Sequence, residues 1–188
     1  MAVGLRVTHN LGDAAGLLRN LDKLERKAAI SALNRTGQQV RTAANREIRK
    51  TYSFKARVVS QSMKLQRSQF ARLEVSVISE GRRTQVIDAD ARQTAKGVTV
   101  RIGKRRKLIR GAFIATMKSG HVGVFNRRTG KRLPIDEIYT IAIAEAFGSR
   151  PVVAAMRSKA TEVFGPRFEH ELGRLAARQA ARVVKNAA

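Results

Sequence analysis

The three histidines are the residues of this chain with the widest chemical repertoire, and they lie far apart in the sequence. His9, His121 and His170 fall in a terminal arm, a predicted turn and a predicted helix. A metal site needs several ligands at suitable spacing, and no HExxH motif is present. The chain has no cysteine, which excludes a thiol nucleophile and a cysteine-based zinc site. The sequence therefore predicts no metal and no other cofactor.

The carboxylates offer two further candidate arrangements. Asp88 and Asp90 have the D-x-D spacing that can hold a divalent cation when more oxygen ligands join them. Arginines flank the pair on both sides, so a solvated loop with local ion pairs is the favoured interpretation. These arginines are Arg82, Arg83 and Arg92.

Asp136 and Glu137 are adjacent, so on a strand their side chains point to opposite faces and cannot act as a catalytic pair. No G-x-S-x-G nucleophile motif, phosphate-binding loop or G-x-G-x-x-G fingerprint is present. The sequence therefore predicts that the protein is not an enzyme and takes no small-molecule substrate.

Positive charge is the strongest compositional feature. The 188 residues include 38 Lys and Arg against 14 Asp and Glu, a net charge of +24. Residues 91–135 contain 13 Lys or Arg and no carboxylate. Such a charge favours acidic partners. The candidate interface residues are Arg101, Lys104, Arg105, Arg106, Lys107, Arg110, Arg127, Arg128, Lys131 and Arg132.

Three interpretations of this basic interface remain open from the residues alone. The cations contact phosphates without sequence specificity, or they dock to an acidic face of a neighbouring subunit, or they only keep the protein soluble. Sequence-specific recognition is not favoured, because no zinc-finger spacing, RNP-type aromatic pair or helix-turn-helix is recognisable.

The elements that position these residues follow from hydrophobic periodicity. Apolar residues at helical spacing predict a helix over about residues 14–50, capped by Asp13. Two shorter helices broken near residues 34–37 are the alternative. Ser53 is the predicted cap of a short helix over residues 54–63, and a C-terminal helix begins near Pro151. We expect that last helix to break or kink at residues 165–166, a Gly-Pro pair.

Alternating residues predict strands between these helices. The predicted strands cover residues 72–79, 97–103, 112–117, 122–126 and part of 133–143. The fold class is therefore α+β, with a long N-terminal helix, an antiparallel sheet of about four strands and C-terminal helices. We expect a single domain over residues 1–188. It comprises an N-terminal arm at 1–12, a mobile loop at 80–96 and a helical region at 150–188.

Two segments follow the pattern of a known protein family. AAISALNRTGQQVRTAANREIR, residues 28–49, has an alanine-rich stripe and an Asn-Arg pair. GAFIATMKSGHVGVFNRRTGKRLPID, residues 111–136, has a GAFI start, a basic turn and a Pro-Ile-Asp end. With these segments the chain resembles the minor tail protein Z family of lambda-type tailed phages, and the resemblance covers most of the chain.

The resemblance implies a structural protein of the virion, without catalytic residues. It implies a place at the head-proximal end of the tail, where such proteins complete the tail and help position the genome end for ejection. Similar tail-completion proteins form rings, commonly six-fold, built on a small sheet flanked by a long helix. A homo-hexameric ring with a tail-completion-like fold is therefore expected here.

The expected partners are tail terminator, connector or tail tube proteins, together with non-specific contact with phage DNA. A location in the tail or neck of the virion follows from the resemblance. Synthesis in the host cytoplasm is expected because the N-terminal residues contain no apolar segment of the kind found in signal peptides. We expect no membrane association, because no apolar run approaches the roughly 18 residues of a membrane span. A non-specific basic nucleic-acid-binding protein is the competing class. It would bind nucleic acid in a salt-sensitive way and form no ordered oligomer.

Overall fold

The computed structural model of the protein describes residues 22–79, 81, 83–103 and 105–187. Over these residues the chain forms two compact units. Residues 45–62 and 79–152 form the sheet unit, and residues 22–44, 63–78 and 153–187 form the helical unit.

The elements follow one another in a helix–sheet–helix order. They are α1 (Lys23–Thr51), α2 (Ala56–Ser62), β1 (Met63–Gln66), β2 (Ser76–Ser79), β3 (Arg83–Gln85), a 3-10 turn (Val86–Asp88), β4 (Arg92–Thr94), β5 (Gly97–Ile102), β6 (Arg105–Arg110), β7 (Phe113–Thr116), β8 (Val122–Arg127), β9 (Ile135–Glu137), β10 (Tyr139–Ala142), α3 (Ile143–Phe147) and α4 (Arg150–Ala187). The α+β prediction is confirmed. The expectation of a single domain over residues 1–188 stays a prediction.

Helix α1 is continuous through residues 34–37, so the single-helix alternative holds where the chain is described. Its alanine-rich stripe is buried, with Ala28, Ala32 and Ala44 fully shielded from solvent. Gly37 lies inside the helix because Val75 packs directly on it. A Cβ atom at Gly37 would lie 2.5 Å from Val75 Cγ2. The predicted Asp13 cap, residues 14–21 of the helix and the arm at 1–12 lie outside the described residues.

The strands form four small sheets among the described residues, rather than the one meander of about four strands that was expected. The strand orders are β1-β2, β10-β3, β4-β5-β6 and β7-β8-β9. The predicted hairpin of residues 112–126 is confirmed as β7 and β8, with Phe113 opposite Phe125 and Thr116 opposite Val122. A turn joins them, in which Met117 N–H donates to the His121 carbonyl at 2.8 Å.

The core of the sheet unit comes from alternate residues of these strands. Val98 and Val100 of β5 are buried with Val86, Ala112 and Val124. Each fully buried valine stabilises the fold by about 1.5–3 kcal/mol. Because side chains alternate across a strand, burial of one face of β5 directs the other face outward.

The prediction that residues 80–96 form a loop without regular structure was wrong. The segment contains β3, the 3-10 turn and β4. Its apolar pair Val86 and Ile87 packs in or against the core, and β4 pairs with β5. Three-residue strands with polar side chains lack the alternation that would have indicated them. The mobility of this segment stays a prediction.

Three other predicted boundaries change. The strand predicted over residues 72–79 is only Ser76–Ser79, and residues 133–143 hold two strands before the short helix α3. Ser53 does not cap α2. Its hydroxyl donates to the Gly103 carbonyl at 3.4 Å, and the helix begins three residues later than Ser53.

Helix α4 is continuous, so the predicted break at residues 165–166 was wrong, and the alternative of a kink there stays a prediction. The helix begins at Arg150 with Pro151 in its first turn, as predicted, and continues through Pro166. Pro166 and Gly165 are exposed. A proline inside a helix removes one backbone hydrogen bond, which here weakens α4 locally without ending it.

Candidate functional site

The basic segment of residues 97–110 is a β-hairpin, and its register decides where each cation points. In β5 and β6, Arg101 lies opposite Arg106, Thr99 opposite Leu108, and Gly97 opposite Arg110. Directly opposed residues share a face of an antiparallel pair. Val98 and Val100 occupy the buried face, so the residues that alternate with them lie on the outer face.

Strand β4 extends this outer face by one more arginine. Arg92 lies opposite Thr99, and Thr99 Oγ1 accepts a hydrogen bond from Arg106 Nη1 at 3.3 Å, which places their side chains on one side of the sheet. We call this outer surface the arginine face. Its residues are Arg92, Thr99, Arg101, Arg106, Leu108 and Arg110.

Asp90 supplies negative charge to the arginine face. Its carboxylate pairs with the Arg106 guanidinium and lies 3.4 Å from Arg92 Nε. Arg106 also donates to the Asp90 backbone carbonyl at 3.2 Å. Desolvation raises the pKa of Asp90, but Arg106 and Arg92 together outweigh it and hold that pKa below its usual value. The predicted local ion pairing of the D-x-D segment is thereby confirmed for Arg92.

Arg101 and Arg110 of this face differ from Arg92 and Arg106 in their ion pairing. Among the residues that the structure describes, no carboxylate forms an ion pair with Arg101 or Arg110, and both are exposed. Uncompensated guanidinium groups held at fixed spacing produce a concentrated positive potential.

Strand β6 is also the edge of its sheet. In the described part of the chain, no strand pairs with its outer side. Arg105 and Lys107 alternate with the arginines of the outer face, and Lys107 lies opposite the buried Val100. Both cations are nevertheless exposed on this edge strand.

The second basic region is the connection between β8 and β9. We call Arg127, the last residue of β8, together with residues 128–134 the basic loop. The Arg127 guanidinium lies over the Phe113 ring, 4.8 Å from its centroid. Arg128 donates two hydrogen bonds to Asp136, at 3.0 and 2.7 Å. These bonds, against a smaller opposing effect of desolvation, lower the pKa of Asp136.

The tip of the basic loop combines charge with an exposed apolar side chain. Lys131 and Arg132 are exposed, and Leu133 is 66% exposed. The Lys131 amide donates to Thr129 Oγ1 at 3.3 Å. An exposed leucine beside two cations is a surface suited to an apolar contact with a charged rim.

The predicted interface therefore divides into the arginine face, the β6 edge beside it and the basic loop. Arg101, Arg106 and Arg110 lie on the arginine face, Arg105 and Lys107 lie along the β6 edge, and Arg127, Arg128, Lys131 and Arg132 belong to the basic loop. Lys104 lies outside the described residues. Arg92 was missed as a member of the interface. Only the register of β4 against β5 reveals it, and three polar residues give no strand signal.

The other candidate residues form a small polar cluster rather than a metal centre. His121 Nε2 lies 2.9 Å from Glu137 Oε1, and Tyr139 donates to Glu137 Oε2 at 2.7 Å. This hydrogen bond raises the pKa of the Tyr139 hydroxyl. Asp136 pairs with Arg128 instead, so the predicted opposite orientation of Asp136 and Glu137 is confirmed. In the described ranges no three His, Cys, Asp or Glu side chains could hold a metal ion.

The two acidic residues of the D-x-D motif diverge. Asp88 pairs with Lys55 at 3.2 Å, whereas Asp90 faces the arginines. Of the other histidines, His170 is exposed on α4, and His9 lies outside the described residues. None of the helices within the described ranges is long and apolar enough to cross a membrane.

Comparison with known proteins gives one family for this chain. Residues 11–186 match the family described as Prophage minor tail protein Z. No curated protein and no solved structure matches the chain. The match includes both basic surfaces and every element described above, except the last residue of α4. The chain therefore belongs to the prophage minor tail protein Z family and is a minor tail protein, a structural component of the phage virion.

Proposed function

We propose that this minor tail protein acts at the head-proximal end of the tail, joins the tail to the neck and helps position the DNA end for ejection. The observation that carries the proposal is the family match over residues 11–186. The two basic surfaces support it, because a joining protein needs surfaces that recognise different neighbours. The proposed role is structural and involves no catalytic step.

The basic loop is the proposed contact with a neighbouring tail protein. Leu133 supplies apolar area that a partner can bury, while Lys131 and Arg132 supply charge at the rim. The bidentate bond from Arg128 to Asp136 restrains the base of the loop, which lowers the entropy lost on binding. An acidic face on the tail terminator, connector or tail tube protein would complement this loop.

A homo-oligomeric ring, with six copies as the expected number, is the proposed assembly. Each copy carries a net charge of +24, so a ring brings many like charges together. Neighbouring proteins or DNA must neutralise them. Assembly should therefore depend on the partner and on the salt concentration.

Deletion of the gene from the prophage tests the proposal. We expect the deletion to leave tails that assemble but fail to join heads, and a plasmid copy of the gene should restore joined particles. Immunogold labelling of a tagged copy should place the label at the head-proximal tail end. Label along the tube or at the distal tip would contradict the proposal.

A non-specific nucleic-acid-binding protein is the second candidate function, and the uncompensated arginines of the arginine face favour it. Light scattering of the purified protein across a salt series separates the two candidates. A discrete oligomer without DNA, or one that forms only with a candidate tail partner, supports the tail-completion ring. A monomer that gains mass only with duplex DNA, and loses it as salt rises, supports the second candidate.

A further inference from the structure

The arginine face has the chemistry of an anion-binding surface. Its cations are all arginines, and a guanidinium presents a planar fork of N–H donors that matches a phosphate in two hydrogen bonds. Arg101, Arg106 and Arg110 occupy outer positions fixed by the β5–β6 register. The sheet therefore sets their spacing, and little ordering of the backbone is needed when a ligand binds.

A regular polyanion suits this face better than a protein surface does. Protein interfaces are usually centred on buried aromatic or aliphatic anchors. The arginine face has no aromatic residue, and Leu108, which is 40% exposed, is its one large apolar side chain. Because the arginine face lacks an aromatic anchor and repeats guanidinium groups, it favours a ligand that carries regularly spaced charge.

The spacing along β6 fits the backbone of a duplex. Arg106 and Arg110 are four residues apart, about 13 Å along a strand. One DNA strand carries a phosphate about every 3.4 Å of helix axis, so this distance spans about four phosphates. Single-strand binding would require aromatic side chains for base stacking, and the face has none.

Asp90 occupies the place where a phosphate would meet Arg106. Its carboxylate and its carbonyl both accept hydrogen bonds from that guanidinium, and Arg92 lies beside the same carboxylate. A phosphate must therefore displace Asp90 or bind next to a like charge. Either course weakens anion binding at this end of the face.

We propose that the arginine face binds the phosphodiester backbone of duplex DNA without sequence specificity, and that Asp90 limits its affinity. The choice of DNA as the biological duplex rests on the proposed function. The assignment of phosphate as the ligand rests on the face itself. About four phosphate contacts would give a slope of about −3.6 for the logarithm of affinity against the logarithm of salt concentration.

Fluorescence anisotropy of a labelled 20-base-pair duplex with the full chain tests the proposal. The variant R101Q/R110Q removes two arginines that have no ion-pair partner among the described residues. The matched control R178Q/R182Q removes two exposed arginines of α4 and changes the net charge equally. We expect R101Q/R110Q to lower the affinity for the duplex about tenfold or more near 0.1 M salt. The slope of the logarithm of affinity against the logarithm of salt concentration should become less negative by about two. The control should change the affinity less than about twofold.

The variant D90N should change the affinity for duplex DNA in the opposite direction. It should raise the affinity several-fold, because the guanidinium of Arg106 becomes available to phosphate. Circular dichroism must show that all three variants remain folded. Equal losses in R101Q/R110Q and R178Q/R182Q would overturn the proposal, because they would mean that only total charge matters.

Competition with polyglutamate identifies the class of ligand. Unlabelled duplex should displace the probe better than polyglutamate of equal charge, and stronger displacement by polyglutamate would overturn the proposal in favour of an acidic protein. If the immunogold label does not lie at the head-proximal tail end, the DNA-binding results remain valid. If the arginine face does not bind DNA, the effect of the deletion on head–tail joining remains valid. The two proposals can therefore fail separately.

Discussion

The arginine face and the basic loop carry the same sign of charge on different backbones. In the arginine face, three paired strands fix the register of the side chains, and two of its arginines have no carboxylate partner among the described residues. In the basic loop, Arg128 is neutralised by Asp136, and the tip exposes Leu133 beside two cations. The comparison teaches that net charge alone does not define a surface. The backbone decides whether the charge forms a regular array or the rim of an apolar contact.

The largest expected effect comes from Gly97, which supports the arginine face. Gly97 has a φ of 142°, and a Cβ atom there would lie 2.1 Å from the Ile109 carbonyl oxygen. We expect Gly97→Ala to lower the free energy of unfolding by about 3 kcal/mol, because the added Cβ atom strains the backbone and pushes β5 away from β6. Urea denaturation followed by circular dichroism measures this change.

Gly130→Ala is the matched change in the basic loop. A Cβ atom at Gly130 would meet nothing within 4 Å, so the stability should stay within about 0.5 kcal/mol of the parent protein. If Gly97→Ala also left the free energy of unfolding unchanged, the close approach of β5 and β6 would not be needed to hold the arginine face in place. The contrast between the two surfaces would then lose its structural basis.

Leu133 gives the next largest effect, on binding rather than on folding. We expect Leu133→Ser to reduce joined particles about tenfold in the complementation assay, since burial of this side chain by a partner would be worth about 1.4 kcal/mol. The free energy of unfolding and the affinity for duplex DNA should not change, because the side chain is 66% exposed and not on the arginine face.

Val183→Ser is the control for Leu133, since Val183 is similarly exposed at 64% and lies on α4. It should leave head–tail joining intact. Equal loss with Val183→Ser and Leu133→Ser would show that exposed apolar area in general, rather than the loop tip, promotes joining.

The smallest expected effect is the pH dependence of the Arg128–Asp136 pair. The pKa of Asp136 is lowered in the folded protein, so its carboxylate stabilises the fold above its unfolded pKa of about 3.9. That contribution is lost as the pH falls through the folded pKa. The melting temperature of Asp136→Asn should therefore lie slightly below the parent value at pH 7, and the two should converge as the pH falls below about 4. A gap that persisted at lower pH would mean that the substitution acts through packing instead.

The sequence predicted the elements whose side chains repeat with a clear period. The buried stripe of α1 and the alternation in β5, β7 and β8 were all visible. The fold class followed from them and is confirmed. The family followed instead from the resemblance of residues 28–49 and 111–136 to known members, and it is confirmed as well. These elements are defined by local periodicity, which a single sequence contains.

The parts that were missed depend on contacts between distant residues. Strand β4 forms because its backbone pairs with β5, and its polar side chains give no sign of it. Pro166 lies within α4 although proline disfavours a helix interior, so the local sequence did not reveal that the helix is continuous. The division of the basic residues into a face and a loop required the register of β6, since consecutive cations in a strand point to alternate sides.

The open edge of β6 has a consequence for the behaviour of the protein at high concentration. A six-residue edge strand is long enough to recruit a second copy of itself and to start an amyloid-like stack. Two such edges brought together would place arginine and lysine against arginine and lysine, and this repulsion blocks their growth into fibrils. The cations of β6 therefore act as gatekeepers against aggregation when the protein is concentrated.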